Sequence, residues 1–453
     1  MDTLPLPPRP DLRNYRKRAK SLKAAAASHD PQALTTWASH WLTALTRALG
    51  WELTPFIRDS FDRAVAHLAR EVDHRRTQAR ERGETFSLSD AQQLIAQAHG
   101  YESWAEFGRE VEAMRSEHGQ TDFERAADAV VNGDLATLDR LLTANPGLAR
   151  DRSSRKHRAT LLHYVAANGV EDFRQKSPPG AVAVALRLLE AGAVVDALAE
   201  TYGGGTYQTP LNLLVSSTHP AVAGLQSQLA EVLIDHGAAI DGVAGDSSPL
   251  MTALAFGYLE TAETLVRRGA RISNVAIAAA LGRLDLVREW VVDRFTLSRR
   301  EPLRVPYWVR IPADAPGQIA AALVLACRFG HEDVARFLLD LGVDPASADH
   351  QQMSALHWAS ASGLPGVVDR LLSMGAPLEA RNTWGGTVLD STVWFARHAP
   401  VAGVDYAAMV RRLLDAGADP GEVHPFPTGD PVLDKLLGDR VEGSAFRVQG
   451  PEH

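Results

Sequence analysis

The feature that most constrains this 453-residue chain is an internal repeat held in fixed register. Ser354-Ala355-Leu356-His357-Trp358-Ala359 is followed by Gly363, Leu371-Leu372 and Gly375-Ala376, at offsets of 9, 17, 18, 21 and 22 from Ser354. The same offsets recur from Ser248, through Gly257 and Leu265-Val266 to Gly269-Ala270, and from Ala321, through Gly330-His331 and Leu338-Leu339 to Gly342-Val343. Three further copies, opening at Thr160, Thr209 and Thr387, carry extra residues and reach Gly192, Gly237 and Gly417 after 32, 28 and 30 positions. Degenerate copies near Glu124 and Ser273 bring the total to eight. Such periodicity makes a stacked array the first fold to test.

Each copy reads as a helix pair. A Thr or Ser opens the first helix, where its hydroxyl accepts a bond from an otherwise unpaired backbone N–H. Closely spaced Leu and Ala give that helix a thin face, and the glycine at offset 9 ends it by taking the left-handed conformation. The second helix carries the Leu-Leu pair at helical spacing and closes at Gly-Ala. One pair cannot bury both of its faces, so stability must come from stacking on neighbours.

These residues strongly resemble ankyrin repeats, with Thr-Pro-Leu-His-x-Ala, Gly-His, Leu-Leu and Gly-Ala as the marks, over residues 121–420. The resemblance implies an all-α curved solenoid, with short hairpin loops forming one wall of a concave face, and it implies a protein-binding module. In that family the histidine matched by His163 and His357 is structural, as is His331 in the Gly-His turn. Only 25 residues separate the openings at Ser248 and Ser273, too few for a full projecting hairpin.

The expected division is a helical N-terminal module at 1–118, the array at 119–420 and a cap and tail at 421–453. In the module, residues 11–27 read as a basic helix with Ala19, Leu22 and Ala26 on an apolar side; residues 1–25 carry seven Lys/Arg and two Asp, a local net charge of 7 − 2 = +5. Ser89, Gly100 and Ser103 read as helix punctuation, and 37–85 as a helical insertion. The module is similar to one preceding ankyrin arrays in many bacterial proteins, which suggests a bacterial origin.

Composition narrows the function. Lys plus Arg is 47 and Asp plus Glu is 55, a net charge of −8, so general nucleic-acid binding is not expected. The single cysteine, Cys327, cannot form an internal disulfide, reads as buried and fits a reducing compartment. The proline-rich start lacks the apolar core of a secretory signal, and the longest apolar run, residues 319–327, has nine residues, against roughly 20 for a membrane span. A cytoplasmic protein without a membrane span is expected.

No residue set points to catalysis, a cofactor or a metal. His67, Glu71 and His74 share a helix face, but Arg63, Arg70, Arg75 and Arg76 around them favour a solvated surface. Gly203-Gly204-Gly205 lacks the Gly-Lys-Thr or Gly-Lys-Ser of a phosphate cradle. Aromatic residues are the better binding candidates, because Trp and Tyr desolvate much area at modest entropic cost. Trp384 in a hairpin tip either packs on a neighbouring finger or meets a partner, and Tyr202 and Tyr207 around the triple glycine share that ambiguity. Trp358 follows the structural histidine and reads as packing. Tyr307 and Trp308 lie in the proline-punctuated stretch 294–317, which either folds over the groove or seals the irregular junction at Ser273.

The expected function is therefore non-catalytic capture of an unidentified protein partner. The rival is an enzyme or small-molecule receptor in which loops 170–181, 198–208 and 294–317 close a polar pocket. A third reading has the basic module bind nucleic acid while the array recruits a protein.

Overall fold

Most repeat copies fold into two short helices, the first opened by a capping side chain and followed by a left-handed glycine. Thr121 shows the start, its Oγ1 accepting the Glu124 N–H at 3.3 Å, and Gly133 shows the stop at φ 72°. The computed structural model describes residues 4–7, 10–28, 30, 32–48, 55–114, 121–201, 207–245, 248–298 and 309–447. The chain divides into two units, residues 1–243 and 244–453.

The first unit begins with α1 (Leu12–Ala27), α2 (Ala33–Ala48), α3 (Pro55–Glu81), α4 (Leu88–Ala98) and α5 (Trp104–Ala113). Three repeat pairs follow: α6 (Asp122–Asn132) with α7 (Leu135–Ala144), α8 (Leu161–Val165) with α9 (Ala181–Glu190), and α10 (Pro210–Leu214), α11 (Thr218–Val222) and α12 (Gln226–Asp235), where α11 is an inserted turn. The second unit holds α13 (Ser248–Ala255) with α14 (Leu259–Arg267), α15 (Val275–Ala280) with α16 (Leu284–Trp290), α17 (Ala315–Arg328) with α18 (Glu332–Asp340), α19 (Ala355–Ala361) with α20 (Pro365–Ser373), and α21 (Val388–His398) with α22 (Tyr406–Asp415). Helix α23 (Pro431–Arg447) packs on α22. Among the described residues the strands are one small antiparallel hairpin, β1 (Val291–Asp293) with β2 (Thr296–Leu297). The fold is an all-α repeat solenoid within each unit.

Stacking follows from side-chain size. First helices line up as α6, α8 and α10 in one unit and as α13, α15, α17, α19 and α21 in the other. Their contact faces are made of small residues: every residue of α15, including Ala276, Ala278, Ala279 and Ala280, is buried. Small side chains let neighbouring backbones approach, while Leu338, Leu371 and Leu413 of the second helices fill the layer behind and are fully buried. Gly282 shows how close the approach is. Its φ is 66°, and the His331 ring occupies the space a Cβ would need. The same ring bonds through Nε2 to the Ala280 carbonyl at 2.9 Å, tying successive pairs together.

Two local expectations are corrected. Ser87, not Ser89, caps α4, because Asp90 sits three residues on and accepts the Ser87 N–H at 2.8 Å while Ser87 Oγ accepts the Asp90 N–H at 3.1 Å. The first helix of the sixth pair starts at Ala315 rather than Ala321: Asp314 accepts the Gly317 N–H at 2.7 Å, and Pro316 suits the first turn. The tail of the 294–317 stretch is thus helix, and residues 299–308, with Tyr307 and Trp308, lie outside the described residues.

The five N-terminal helices have their own core around Leu22, Leu68, Leu94 and Phe107. Helix α1 turns Tyr15, Ala19, Leu22 and Ala26 inward and packs on α4 and α5. The buried His99 ring stacks on Phe107 and meets Tyr15 edge-on; burial pushes its pKa down to about 3, so the ring is neutral.

A buried ion cluster joins this core to the first repeats. Arg155, in the loop before α8, pairs with Glu124 of α6 at 3.1 Å and with Glu171 of the α8–α9 connector. Arg174 reaches Glu124 at 2.6 Å and Asp128 at 2.7 Å. Arg155 also donates to the His99 carbonyl at 2.8 Å and lies 4.9 Å over the Tyr101 ring, and the Lys156 N–H bonds the Gly100 carbonyl at 2.7 Å. Burial works to raise the carboxylate pKa values, but the two guanidiniums outweigh it and hold Glu124 below, and Glu171 well below, the usual range. Among the described residues, Glu110 of α5 enters no ion pair. It is 5% exposed, its Oε1 has no partner, and burial together with the Glu124 charge lifts its pKa to about 7 against the pull of Arg155 and Arg174.

Replacing Arg155 by Met leaves two buried carboxylates short of a partner and should cost ~3–5 kcal/mol in urea-denaturation experiments on the full chain. Glu110→Gln should behave oppositely. A raised carboxyl pKa contributes stability that is present below pH 4.5 and lost as pH rises through about 7. The variant should therefore match the parent at pH 4.5 and exceed it by about 2 kcal/mol above pH 7.5, as read from paired unfolding curves at each pH.

Candidate partner-binding groove

The last two repeat pairs build an aromatic groove from two adjacent hairpins and one helix. The hairpin before α19 closes by the Ala348–Ser354 bridge, and Asp349 organises its tip by accepting the Gln351 N–H at 2.8 Å and the Met353 N–H at 3.0 Å. The other oxygen of Asp349 accepts the Trp358 indole N–H at 3.1 Å. Trp358 is thereby locked at the groove floor, with the Arg328 guanidinium 4.9 Å from its ring.

The next tip uses Asn382 as its template. Its Oδ1 accepts the Trp384 N–H at 2.9 Å and the Gly386 N–H at 3.0 Å, while its Nδ2 donates to Ser391 Oγ at 3.0 Å. Gly385 completes the turn at φ 88°, and the Thr383 N–H bonds the Gln351 carbonyl at 2.9 Å, fixing one tip beside the other. With the backbone satisfied internally, the Trp384 ring projects outward and is 70% exposed. Helix α21 supplies the third wall. Trp394 is 51% exposed and meets Phe395 edge-on at 5.2 Å, Phe395 lies 5.5 Å from Trp358, and His398 stacks on Trp394 at 5.0 Å. The resulting groove encloses about 550 Å³, with Met353, Asp390 and Ser391 also on its lining.

Of the residues singled out from sequence, Trp358 and Trp384 come together here. Trp358 both packs and lines the groove, whereas Trp384 contacts little of its own chain. Tyr207 is exposed beside the Ala199–Gln208 bridge of the first unit and is not part of this lining. Tyr202, like Tyr307 and Trp308, lies outside the described residues. Trp394, Phe395 and Asp390 went unnoticed in the sequence. Their spacing was the available signal, since Asp390, Trp394 and His398 fall at i, i+4 and i+8 on one helix face opposite the buried Leu389 and Val393.

The histidines take structural places. His163 Nδ1 accepts the Thr160 N–H at 3.1 Å and its Nε2 reaches the Gln208 carbonyl at 3.3 Å; His357 Nδ1 accepts the Ser354 N–H at 3.1 Å. Burial pushes both rings down to about 4, so they are neutral at pH 7. Cys327 is fully buried, which pushes its thiol up to about 12. Glu71 is taken by Arg75 at 3.0 Å and His74 by Gln78, and among the described residues no group of three His, Cys, Asp or Glu is placed to hold a metal ion. No helix among the described residues is long and apolar enough to cross a membrane.

Against known families, residues 275–382 match the one described as ankyrin repeats, in three copies. The matched stretch runs from α15 through Asn382 at the second tip, so it includes Trp358 and ends beside Trp384. Among curated proteins, the chain is 37% identical over 95 residues to mouse ankyrin repeat and SOCS box protein 16, covering 21% of this chain and 20% of that one. It is 28% identical over 179 residues to mouse palmitoyltransferase ZDHHC13, covering 39% of this chain and 28% of that one. The chain thus spans under a third of either relative. Among solved structures, the human ASB11 ankyrin repeat domain aligns with 65% of this chain and 97% of its own, at 21% identity and a TM-score of 0.32.

The two indoles should separate in stability measurements. Trp384→Ala should change unfolding free energy by less than ~0.5 kcal/mol, while Trp358→Ala, which removes a packed ring and strands Asp349, should cost ~3 kcal/mol. Thermal or urea unfolding of the two variants checks the contrast.

Proposed function

We propose that the chain is a non-catalytic protein-binding module or scaffold whose partner docks in the groove between the 349–353 and 382–386 tips and α21. The observation that carries this reading is the pair of exposed indoles, Trp384 and Trp394, standing over a floor built from Trp358 and Phe395. A rigid aromatic surface of this kind gains most of its energy on desolvation by a partner and loses little entropy, because its backbone and floor are already ordered. Residues 1–118 act as an N-terminal module for the array at 119–420, and 421–453 as its cap and tail. The protein needs no cofactor and works in the cytoplasm of a bacterium; the lone buried Cys327 accords with a reducing setting.

A small-molecule role has one observation in its favour. His67, Arg75, Lys156, His157, Asp172 and Thr201 line a polar cleft of about 570 Å³ in the first unit, to which the 166–180 connector and residues 200–201 contribute. The strongly shifted groups beside it, Arg155, Glu171 and Arg174, are already consumed by one another in ion pairs, and so support the fold rather than acid–base chemistry.

Affinity capture from the native host distinguishes these readings. A Trp384→Ala/Trp394→Ala variant should retain less than about a tenth of each specifically captured protein, since a hot-spot pair is worth ~2 kcal/mol or more. Full retention of every partner would overturn the groove as the docking site. Loss with a Lys156→Ala change alone would favour the cleft.

A further inference from the structure

We propose that the side chain seated in this groove is an arginine of the partner protein, its guanidinium laid against the exposed indoles and its end on the Asp390 carboxylate. The inference rests on the protein-binding reading above and adds the chemistry of the occupant.

The polar groups of the groove decide it. Asn382 is used up by its own loop and by Ser391, and the Trp358 indole N–H is held by Asp349. Asp390 is the one charged residue among the groove's lining residues. In the repeat pattern Thr387-Val388-Leu389-Asp390 matches Ser354-Ala355-Leu356-His357, so a carboxylate stands where the preceding pair has its buried capping histidine. Asp390 makes a different bond there, its Oδ1 accepting the His424 N–H at 3.0 Å. Among the described residues it enters no ion pair. Arg381, on the hairpin that carries Trp384, is committed elsewhere: it pairs with Glu422 at 2.6 Å and donates to the Gly385 carbonyl at 3.0 Å.

A half-buried carboxylate without a cation, set among aromatic faces, attracts a positive group that can satisfy both. A ring face draws a cation through its quadrupole, and a planar guanidinium can stack on an indole while its N–H groups reach a carboxylate. The floor residue Trp358 already makes the first contact, with the Arg328 guanidinium, which is not itself among the groove's lining residues. An aliphatic occupant would cover the rings but leave Asp390 desolvated and unpaired, which is unfavourable.

The test uses the full chain labelled with 5-fluorotryptophan, whose nine indole signals are assigned with Trp384→Phe and Trp394→Phe. N-acetyl-arginine methylamide, titrated against it, should move the Trp384 and Trp394 signals saturably. The leucine analogue should move them less at every concentration. Asp390→Asn, which keeps an acceptor for the His424 N–H, should weaken the arginine response at least five-fold while leaving the spectrum otherwise unchanged. Equal binding by the Asn variant, a stronger response to the leucine analogue, or no response to arginine would each overturn the assignment. A leucine response at the same two indoles equal to or stronger than that of arginine would leave the binding groove standing and remove only its charge preference, whereas retention of all captured partners by the double alanine variant would remove the groove itself.

Discussion

A two-helix repeat has more apolar surface than it can cover alone, and everything else in this chain follows from covering it with the next repeat. The requirement sets residue size before residue chemistry: alanine where first helices touch, leucine where second helices fill the space behind. It also explains the ties that cross from pair to pair, such as His331 to the Ala280 carbonyl and the Tyr406 hydroxyl to the Ala361 carbonyl at 2.9 Å. Each bond satisfies a polar group that stacking would otherwise strand at a helix end.

Because the rack is rigid, its projecting tips are free of structural work. Asn382 and Asp349 each close a loop through their own side chains, so the residues carried on those loops are held in place without contributing to the core. That division of labour is why Trp384 is largely exposed on a well-ordered hairpin. It also separates the two tryptophans of the groove: Trp358 is anchored through its indole nitrogen, and Trp384 stands clear.

The sequence was most informative where periodicity acts. Openings at Thr160, Thr209, Ser354 and Thr387 mark helix starts, the offset-9 glycines mark helix ends, and Cys327 is buried as its apolar neighbours imply. It was least informative where the chemistry joins distant positions. Nothing in the local pattern announces that Arg155 will meet Glu124 and Glu171, residues 31 positions upstream and 16 downstream, since each sits in a segment that reads as an ordinary loop or charged helix. The groove lies between these cases. Trp384 could be placed on a tip, but Trp394 lies with Asp390 and His398 on the exposed side of α21, which the repeat marks do not touch. Helix α17 begins six residues before the repeat register places it, because Asp314 caps it and Pro316 suits its first turn.

The buried cluster around Arg155 has a consequence for how such a chain can diverge. Its members come from α6, the loop before α8 and the α8–α9 connector, and each neutralises more than one neighbour, so no member can be exchanged without leaving another charge stranded. Change there must be concerted across three segments. The aromatic tips carry no such debt and can alter one residue at a time, so relatives sharing this junction could drift apart in what they recognise while remaining locked in how their first helices are assembled.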